Sequence, residues 1–182
     1  MKIIDGQIPG LLILEPDVFA DSRGYFTETW NRSVLAEAGL QWNFVQDNES
    51  FSRRGVLRGL HFQRAPYAQA KLVRCAAGRI LDVALDIRPE SPTFGKHAAV
   101  ELTSDNHRQF FIPAGFAHGF IVLSDSALVA YKCDRHRVAE AEAGINAADP
   151  ALEIDWRLPE AQWIRSPRDC ALPSFQELLK TP

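Results

Sequence analysis

From Gly10 to Lys132 the chain alternates between short apolar stretches and clusters of turn residues. Apolar or alternating runs of about four to eight residues, bounded by Gly, Pro, Asp or Ser, are typical of β-strands. The most regular run is 81–88, in which every second residue from Leu81 is aliphatic and the residues between are mostly polar. Strict alternation of this kind predicts a strand that is buried on one face only.

Ten segments read as strands: 11–15, 25–30, 44–52, 56–63, 70–76, 79–88, 98–103, 109–112, 119–123 and 127–133. Many short strands separated by turns predict an all-β fold, either a sandwich, a jelly roll or a barrel. Few helices are expected. The segment 31–38 starts with cap residues and stops at Gly39, and a capping box at 174–177 opens a short terminal helix. The Pro- and Asp-rich segment 149–173 predicts turns and short helices around the barrel.

Period two in a strand decides which side chains share a face. On one predicted strand Lys71 shares a face with apolar neighbours, and on another Tyr131 shares a face with Val129 and Cys133, while Lys132 points the other way. Polar groups on an inward, apolar face are costly unless they meet a partner or a ligand. A barrel with Lys, Tyr and His inside therefore contains a binding cavity.

The composition is that of an ordinary globular protein, with 46% hydrophobic and 24% charged residues. The length of 182 residues predicts a single domain over 1–182, with a barrel core at about 10–133 and a wrapping C-terminal segment at 134–182. The three cysteines are an odd number without a CxxC pair, which argues against a disulfide framework and against a zinc site.

The charge and the hydropathy of the chain bear on two classes of binding partner, nucleic acids and membranes. The formal net charge of −3, without any basic run, gives no reason to expect nucleic acid as a partner. No stretch approaches the roughly 20 apolar residues of a membrane span, so no membrane partner is expected either. The opening MKIIDGQIPG also lacks the apolar run of a signal peptide. These features predict a cytoplasmic location.

Three polar residues within the predicted strands are candidates for proton transfer. His61, in GVLRGLHFQ, has the side chain best matched to take a proton near neutral pH, although a strand histidine is more often structural. Lys71 could stabilise an oxyanion developing on a ketone, with snorkelling at a strand end as the alternative. Tyr131 offers a phenol that can give a proton to a carbanion, with strand packing as the alternative.

Four further residues are candidates for binding or orientation. His118 follows Pro and Gly in IPAGFAHGF, which predicts a shaped turn that holds this histidine at a barrel mouth for a phosphate or a metal. Arg23 and Arg58 stand beside glycines, and a guanidinium matches phosphate geometry, although surface arginines are common. Asp169 could orient the imidazole of His61 or simply cap a turn.

Several segments together resemble the dTDP-4-dehydrorhamnose 3,5-epimerase family of cupin-like barrels. They are DSRGYFTETW, VQDNESFSRRGVLRGLHFQ, QAKLVRCAAGRILDVALDIRPESPTFG, QFFIPAGFAHGF, ALVAYK and EAGINAADPALEIDW, in this order across nearly the whole chain. The resemblance implies a cupin-like jelly-roll barrel with a few short peripheral helices. It also implies an epimerase that inverts C3, C5 or both of a nucleotide-diphosphate 4-keto-6-deoxy-hexose.

By resemblance, four residues match the catalytic machinery of the family. His61 matches the general base and Asp169 the carboxylate that partners it. Tyr131 matches the proton donor on the opposite face of the sugar, and Lys71 matches the group that stabilises the enolate at O4. A keto group at C4 acidifies the hydrogens at C3 and C5, so these groups suffice for the reaction and neither a metal nor an organic cofactor is expected.

The resemblance also implies contacts to a nucleotide-diphosphate sugar as substrate. Matching positions in this chain are Gln46, Asn48, Arg58 and His118, and Arg137 stands at the position of a further contact to the nucleotide. A further set, Arg23, Phe26 and Glu28, matches residues that the neighbouring subunit supplies in a homodimer with exchanged N-terminal strands.

The chain departs from the family pattern near the nucleotide. His136 and Arg137 stand where a Tyr-Tyr pair is usual, with the second tyrosine stacking on thymine, and an arginine can also stack on a base. The nucleotide and the sugar therefore stay open, and a C3-only or C5-only epimerase acting on another nucleotide sugar is the main alternative. A metallocupin and a non-catalytic sugar-nucleotide binder are alternatives from other classes.

Overall fold

The computed structural model describes residues 1–37 and 39–180. The strands are β1 (Lys2–Asp5), β2 (Leu12–Glu15), β3 (Val18–Asp21), β4 (Gly24–Thr27), β5 (Gln46–Arg53), β6 (Leu57–Gln63), β7 (Lys71–Ala77), β8 (Arg79–Asp86), β9 (His97–Thr103), β10 (Gln109–Ile112), β11 (Phe116–Val122), β12 (Ser126–Cys133) and β13 (Glu142–Gly144). The α-helices are α1 (Arg32–Glu37), α2 (Pro167–Cys170) and α3 (Phe175–Leu179), and single 3₁₀ turns occupy Ala139–Ala141, Pro150–Leu152 and Glu160–Gln162. The prediction of an all-β fold with a few short helices is confirmed.

Two antiparallel sheets face each other and enclose the interior. The first has the strand order β1-β2-β10-β7-β12-β5, and the second has the order β13-β6-β11-β8-β9. Neighbours in each sheet are mostly distant in sequence, as expected for a jelly roll. The hairpin of β3 and β4 forms a small sheet of its own. None of the helices in the described part of the chain is long and apolar enough to cross a membrane.

The interior between the sheets is mainly apolar. Val73 and Cys75 of β7 pack in one cluster with Ile80 and Ala84 of β8 and with Phe110 of β10. The side chains of one sheet thus meet those of the other, as in other packed pairs of sheets. The inner faces of β7 and β8 therefore look into the same space.

The prediction that β8 is buried on one face only is wrong. Its aliphatic residues Leu81, Val83 and Leu85 belong to a second cluster on the outside of the sheet, where Leu152 and Trp156 of the C-terminal segment cover them. Its alternate residues face the interior, and all residues from 80 to 86 are buried. The wrapping segment makes both faces internal, so the alternation separates two environments inside the protein.

The C-terminal segment is attached along the five-stranded sheet. Leu57 donates its backbone N–H to the carbonyl of Ile164, and Ile164 donates in turn to the carbonyl of Gly55. The indole of Trp156 is buried and donates to the carbonyl of Ala147. These contacts fix the path of the chain that leads to α2.

All ten predicted strands are present, with shifted ends. The largest shifts are at β4, which ends at residue 27 rather than 30, and at β11, which begins at residue 116 rather than 119. The strands β1, β3 and β13 were not predicted, because each is only three or four residues long and lacks a clear alternation.

Both predicted helices are also found. The first covers Arg32–Glu37, and position 38 of the predicted range lies outside the described residues. The capping box is confirmed, since the Ser174 hydroxyl accepts from the backbone N–H of Glu177 and the Glu177 carboxylate accepts from the backbone N–H of Ser174.

Replacing Trp156 with Ala should lower the free energy of unfolding by about 3–5 kcal/mol, since the change opens a cavity beneath the wrapping segment. Urea denaturation followed by circular dichroism measures this loss. As a control, Leu179→Ala removes a side chain that is 56% exposed and should change the free energy by no more than about 0.5 kcal/mol. Equal effects of the two changes would contradict the packing described for Trp156.

Candidate active site

A cavity of about 130 Å³ opens between the two sheets at one end of the barrel. Six of the residues predicted as site residues line it, namely Gln46, Asn48, His61, Lys71, Tyr131 and Arg137. They come from β5, β6, β7 and β12 and from the loop after β12. Strands that lie far apart in sequence thus bring the main candidates into one space.

His61 lies on β6, directly opposite His118 on β11. The two strands approach closely through glycines: a Cβ on Gly59 would lie 2.6 Å from the Cα of Gly119, and Gly59 has a φ of +125°. A larger residue at Gly59 would push β6 away from β11 and move His61 with it. The glycines near the two histidines in GVLRGLH and AHGF are therefore required for the close approach of β6 and β11.

The imidazole of His61 is held by Asp169. Its Nε2 lies 2.6 Å from the carboxylate Oδ1 of Asp169, which is only 5% exposed. Asp169 is placed by α2, where the hydroxyl of Ser166 caps the helix by accepting from the backbone N–H of Asp169. Because a carboxylate only accepts, Nε2 carries the proton of the neutral ring and Nδ1 is left with a lone pair.

The environment of His61 favours its neutral form. Burial lowers the pKa of His61, and the hydrogen bond and charge of Asp169 act in the opposite direction. The positive charge of Lys71 lowers this pKa further. A neutral imidazole with a free nitrogen is the state required of a general base near pH 7.

Tyr131 lines the same cavity from the other sheet. It lies on β12 opposite Asn48 of β5. Burial raises the pKa of Tyr131, and the positive charge of Arg58 lowers it in part. The phenol therefore keeps its proton at neutral pH. His61, which is able to accept a proton, and Tyr131, which is able to donate one, thus reach one space from facing sheets.

Lys71 stands beside this pair on β7. Its cross-strand partner on β12 is Cys133, whose sulfur accepts a hydrogen bond from the side-chain amide of Asn48. Among the described residues nothing forms a hydrogen bond or an ion pair with the ammonium group of Lys71. Burial lowers the pKa of Lys71, while the surrounding Cys133, Asp82 and Glu142 raise it. A cation with free donors in a cavity is suited to stabilise an oxyanion.

Three charged residues that line the cavity, Glu142, Arg137 and Arg168, form one ion-paired group. Glu142 of β13 accepts from Nε of Arg137 at 2.6 Å and from Nη2 of Arg168 at 2.8 Å. Arg137 holds the pKa of Glu142 well below its usual range, at about 2, with burial acting against it and Arg168 adding to it. Only Arg137 was named from the sequence. The three-residue strand that brings Glu142 next to β6 has no pattern by which it could have been found.

Two predicted contact residues do not line the cavity. His118 lies inside β11, beyond the turn at 114–115, and is 7% exposed. The prediction that a turn holds it at a barrel mouth is therefore wrong, because β11 begins at Phe116 and carries it into the interior. Arg58 donates through Nε to the hydroxyl of Ser52.

The other predicted set lies away from the cavity of its own chain. Arg23 and Phe26 belong to the β3–β4 hairpin and Glu28 follows it, and none of the three lines the cavity. The Arg23 guanidinium bonds Asp21 next to it, and Glu28 accepts from the amide of Asn31. Phe26 is 68% exposed.

The described side chains do not form a metal-binding group of the usual kind. Within residues 1–37 and 39–180 no group of three or more His, Cys, Asp and Glu side chains is placed to hold one. His61 and His118 use their Nε2 atoms on two different carboxylates, those of Asp169 and Asp82.

A known family of proteins matches most of this chain. The family profile described as dTDP-4-dehydrorhamnose 3,5-epimerase matches residues 5–177. The chain belongs to the dTDP-4-dehydrorhamnose 3,5-epimerase family. The resemblance stated from the sequence is confirmed, as is the cupin-like jelly roll, and the protein is an epimerase, that is, an isomerase.

Individual relatives extend over most of the chain. The dTDP-4-dehydrorhamnose 3,5-epimerase of Shigella flexneri is 53% identical over 157 residues, which cover 86% of this chain and 87% of the relative. A crystal structure of the dTDP-6-deoxy-D-glucose-3,5-epimerase of Legionella pneumophila with dTDP-4-keto-L-rhamnose is 48% identical, with a TM-score of 0.92 over 96% of this chain and 93% of that one. A 3'-monoepimerase from Streptomyces bikiniensis with dTDP-quinovose is 32% identical, with a TM-score of 0.88 over 96% and 89%.

Replacing Asp169 with Asn should shift the pH dependence of catalysis. Loss of the carboxylate removes a group that raises the pKa of His61, so this pKa falls and the acid limb of kcat/KM moves to lower pH. The plateau rate should also fall, by less than the roughly 10²–10⁴-fold that a general base contributes. A pH–rate profile from pH 5 to 9 tests this. An acid limb that stays in place or moves to higher pH would show that Asp169 does not act on His61.

Proposed function

We propose that this protein inverts both C3 and C5 of dTDP-4-dehydro-6-deoxy-glucose. The observation that supports it most is the meeting of His61 and Tyr131 across one cavity, with the ammonium of Lys71 beside them. A base and an acid on opposite sides of a planar enolate are what inversion at carbon requires. The guanidinium groups of Arg137 and Arg168 at the same cavity favour an anionic substrate such as a sugar diphosphate.

The proposed mechanism needs only proton transfers. Nδ1 of His61 takes the proton from the carbon next to the C4 ketone, and the C–H electron pair moves into the enolate, whose negative oxygen is stabilised by the Lys71 ammonium. Tyr131 then gives its phenolic proton to the same carbon from the opposite face, and the enolate returns to the ketone. His61 has gained one proton and Tyr131 has lost one, and exchange with solvent restores both groups.

Inversion of two centres is favoured over inversion of one. The relative at 53% identity and the structure at 48% identity carry 3,5-epimerase names, whereas the 3'-monoepimerase is 32% identical. The same names favour dTDP as the nucleotide, with Arg137 at the position of the stacking tyrosine.

Incubation in deuterated water separates the proposed roles. Wild-type protein with dTDP-4-dehydro-6-deoxy-glucose should place deuterium at both C3 and C5, as read by NMR. His61→Asn should reduce label uptake by about 10²–10⁴-fold at both carbons. Tyr131→Phe should still exchange hydrogen on the face of the base, since His61 is intact, but should give little inverted product.

Two results would overturn the assignment. Label at one carbon only in the wild-type protein would identify a mono-epimerase. Unchanged turnover in His61→Asn would show that another group is the base. A matched control is His97→Asn, which alters a histidine on β9 that does not line the cavity.

We also propose a homodimer in which the hairpin of one subunit completes the site of the other. The β3–β4 hairpin exposes Phe19, Tyr25 and Phe26, each by more than half, which favours a partner surface for them. β5 forms an open edge of its sheet and carries Gln46 and Asn48 into the cavity. A hairpin from a second copy beside this edge would bring Arg23, Phe26 and Glu28 to the substrate.

The cytoplasmic location expected from the sequence stays a prediction.

Subunit complementation tests the exchange. Arg23→Ala and His61→Asn, each alone, should be strongly impaired. When both variants are co-expressed with different tags, the mixed dimer should regain activity, since one of its two sites combines His61 from one chain with Arg23 from the other. If Arg23 acted within its own chain, the mixed dimer would contain no intact site and would stay inactive. A single-subunit mass in solution would also contradict the proposal.

A further inference from the structure

A second buried pair of a histidine and a carboxylate lies inside the barrel. Asp82 of β8 is 0% exposed, and its Oδ1 lies 2.8 Å from Nε2 of His118. Its other oxygen, Oδ2, is buried and has no hydrogen-bond partner among the described residues. Nothing in the proton transfers proposed above uses this carboxylate, and a buried charge with a free oxygen is costly.

Asp82 and Lys71 look into the same interior from facing sheets. Asp82 alternates with Ile80 and Ala84 on the inner face of β8, and Lys71 alternates with Val73 and Cys75 on the inner face of β7. Those four apolar residues pack in one cluster. The carboxylate and the ammonium do not form a direct ion pair in the described structure, so the charge of Asp82 acts across the interior.

The other groups that face Lys71 carry little uncompensated negative charge. Cys133 on β12 stays a thiol, because burial raises its pKa. Glu142 on β13 is shared by two guanidinium groups. His61 on β6 is neutral near pH 7 because burial lowers its pKa. With Cys133 as a thiol and Glu142 shared by two arginines, Asp82 is the remaining carboxylate named here that raises the pKa of Lys71.

We infer that Asp82 is a positioning residue that keeps the ammonium of Lys71 charged inside the barrel, so that the lysine can stabilise the enolate oxygen. This inference rests on the proposed function. The electrostatic effect of Asp82 on Lys71 agrees with this inference, because burial lowers the pKa of Lys71 and Asp82 raises it. In a dry interior the charge of one carboxylate acts over several ångströms, because little water screens it. His118 holds the carboxylate in place by donating to Oδ1.

Asp82→Asn tests the inference. Asparagine keeps the shape and an oxygen that can accept from His118, and it removes only the charge. The pKa of Lys71 should then fall, so that the alkaline limb of kcat moves to lower pH by about one unit, which corresponds to a roughly tenfold loss of the charged form above that pH. KM for the nucleotide sugar should stay within about twofold.

A double variant separates this electrostatic role from a structural one. In a Lys71→Met background there is no ammonium left to support, so Asp82→Asn should cause no further loss of kcat. Asp86→Asn is the matched control: Asp86 is equally buried on the same strand but is bound by Arg88, Ser91 and Thr93. It should lower stability and leave the alkaline limb where it is.

The failure of this inference is distinct from the failure of the proposed function. If the wild-type protein exchanges deuterium but Asp82→Asn keeps the parental alkaline limb, or loses activity additively with Lys71→Met, the role of Asp82 is refuted and the epimerase remains. If Asp82→Asn does not fold, Asp82→Ser removes the same charge. In that variant, pH-dependent acetylation of Lys71, read by mass spectrometry, should show reaction at lower pH than in the wild type, and an unchanged profile would refute the inference.

Discussion

The site depends on charges held in a barrel interior that is otherwise apolar. Removal of water lowers the pKa of His61 and of Lys71 and raises the pKa of Tyr131. Each of these changes favours the uncharged form of the group. For the imidazole and the phenol this is the form required for accepting and giving a proton. For the lysine it is the wrong form, and a neighbouring negative charge must oppose it. Burial therefore favours the form that His61 and Tyr131 need and disfavours the charged form that Lys71 needs.

The two histidine–carboxylate pairs illustrate this constraint. His61 and His118 lie opposite each other on adjacent strands, and each uses Nε2 on an aspartate. The first imidazole is 40% exposed at its side chain and lines the cavity, whereas the second is almost fully enclosed. In the proposed mechanism the first pair supplies an accessible base and the second holds an internal carboxylate, and the two pairs differ in accessibility.

Much of the fold could be predicted because strands and turns leave local patterns. The period of two placed Lys71 and Tyr131 on inward faces, and both line the cavity. The same period misjudged β8, because a segment some 70 residues later covers its aliphatic face and no local pattern contains that information. Glu142 was missed for a related reason, since its place depends on the pairing of a three-residue strand with β6. His118 was misplaced because a turn motif does not show where the following strand begins.

The bond between His61 and Asp169 joins residues 108 positions apart. The strands of the barrel are complete before the chain reaches α2, so His61 can occupy its strand while the carboxylate of Asp169 is still absent. Because the chain is synthesised from its N-terminus, Asp169 is made after every strand of the barrel. A newly made barrel would therefore acquire a cavity first and chemical competence last, when the final segment docks along the five-stranded sheet.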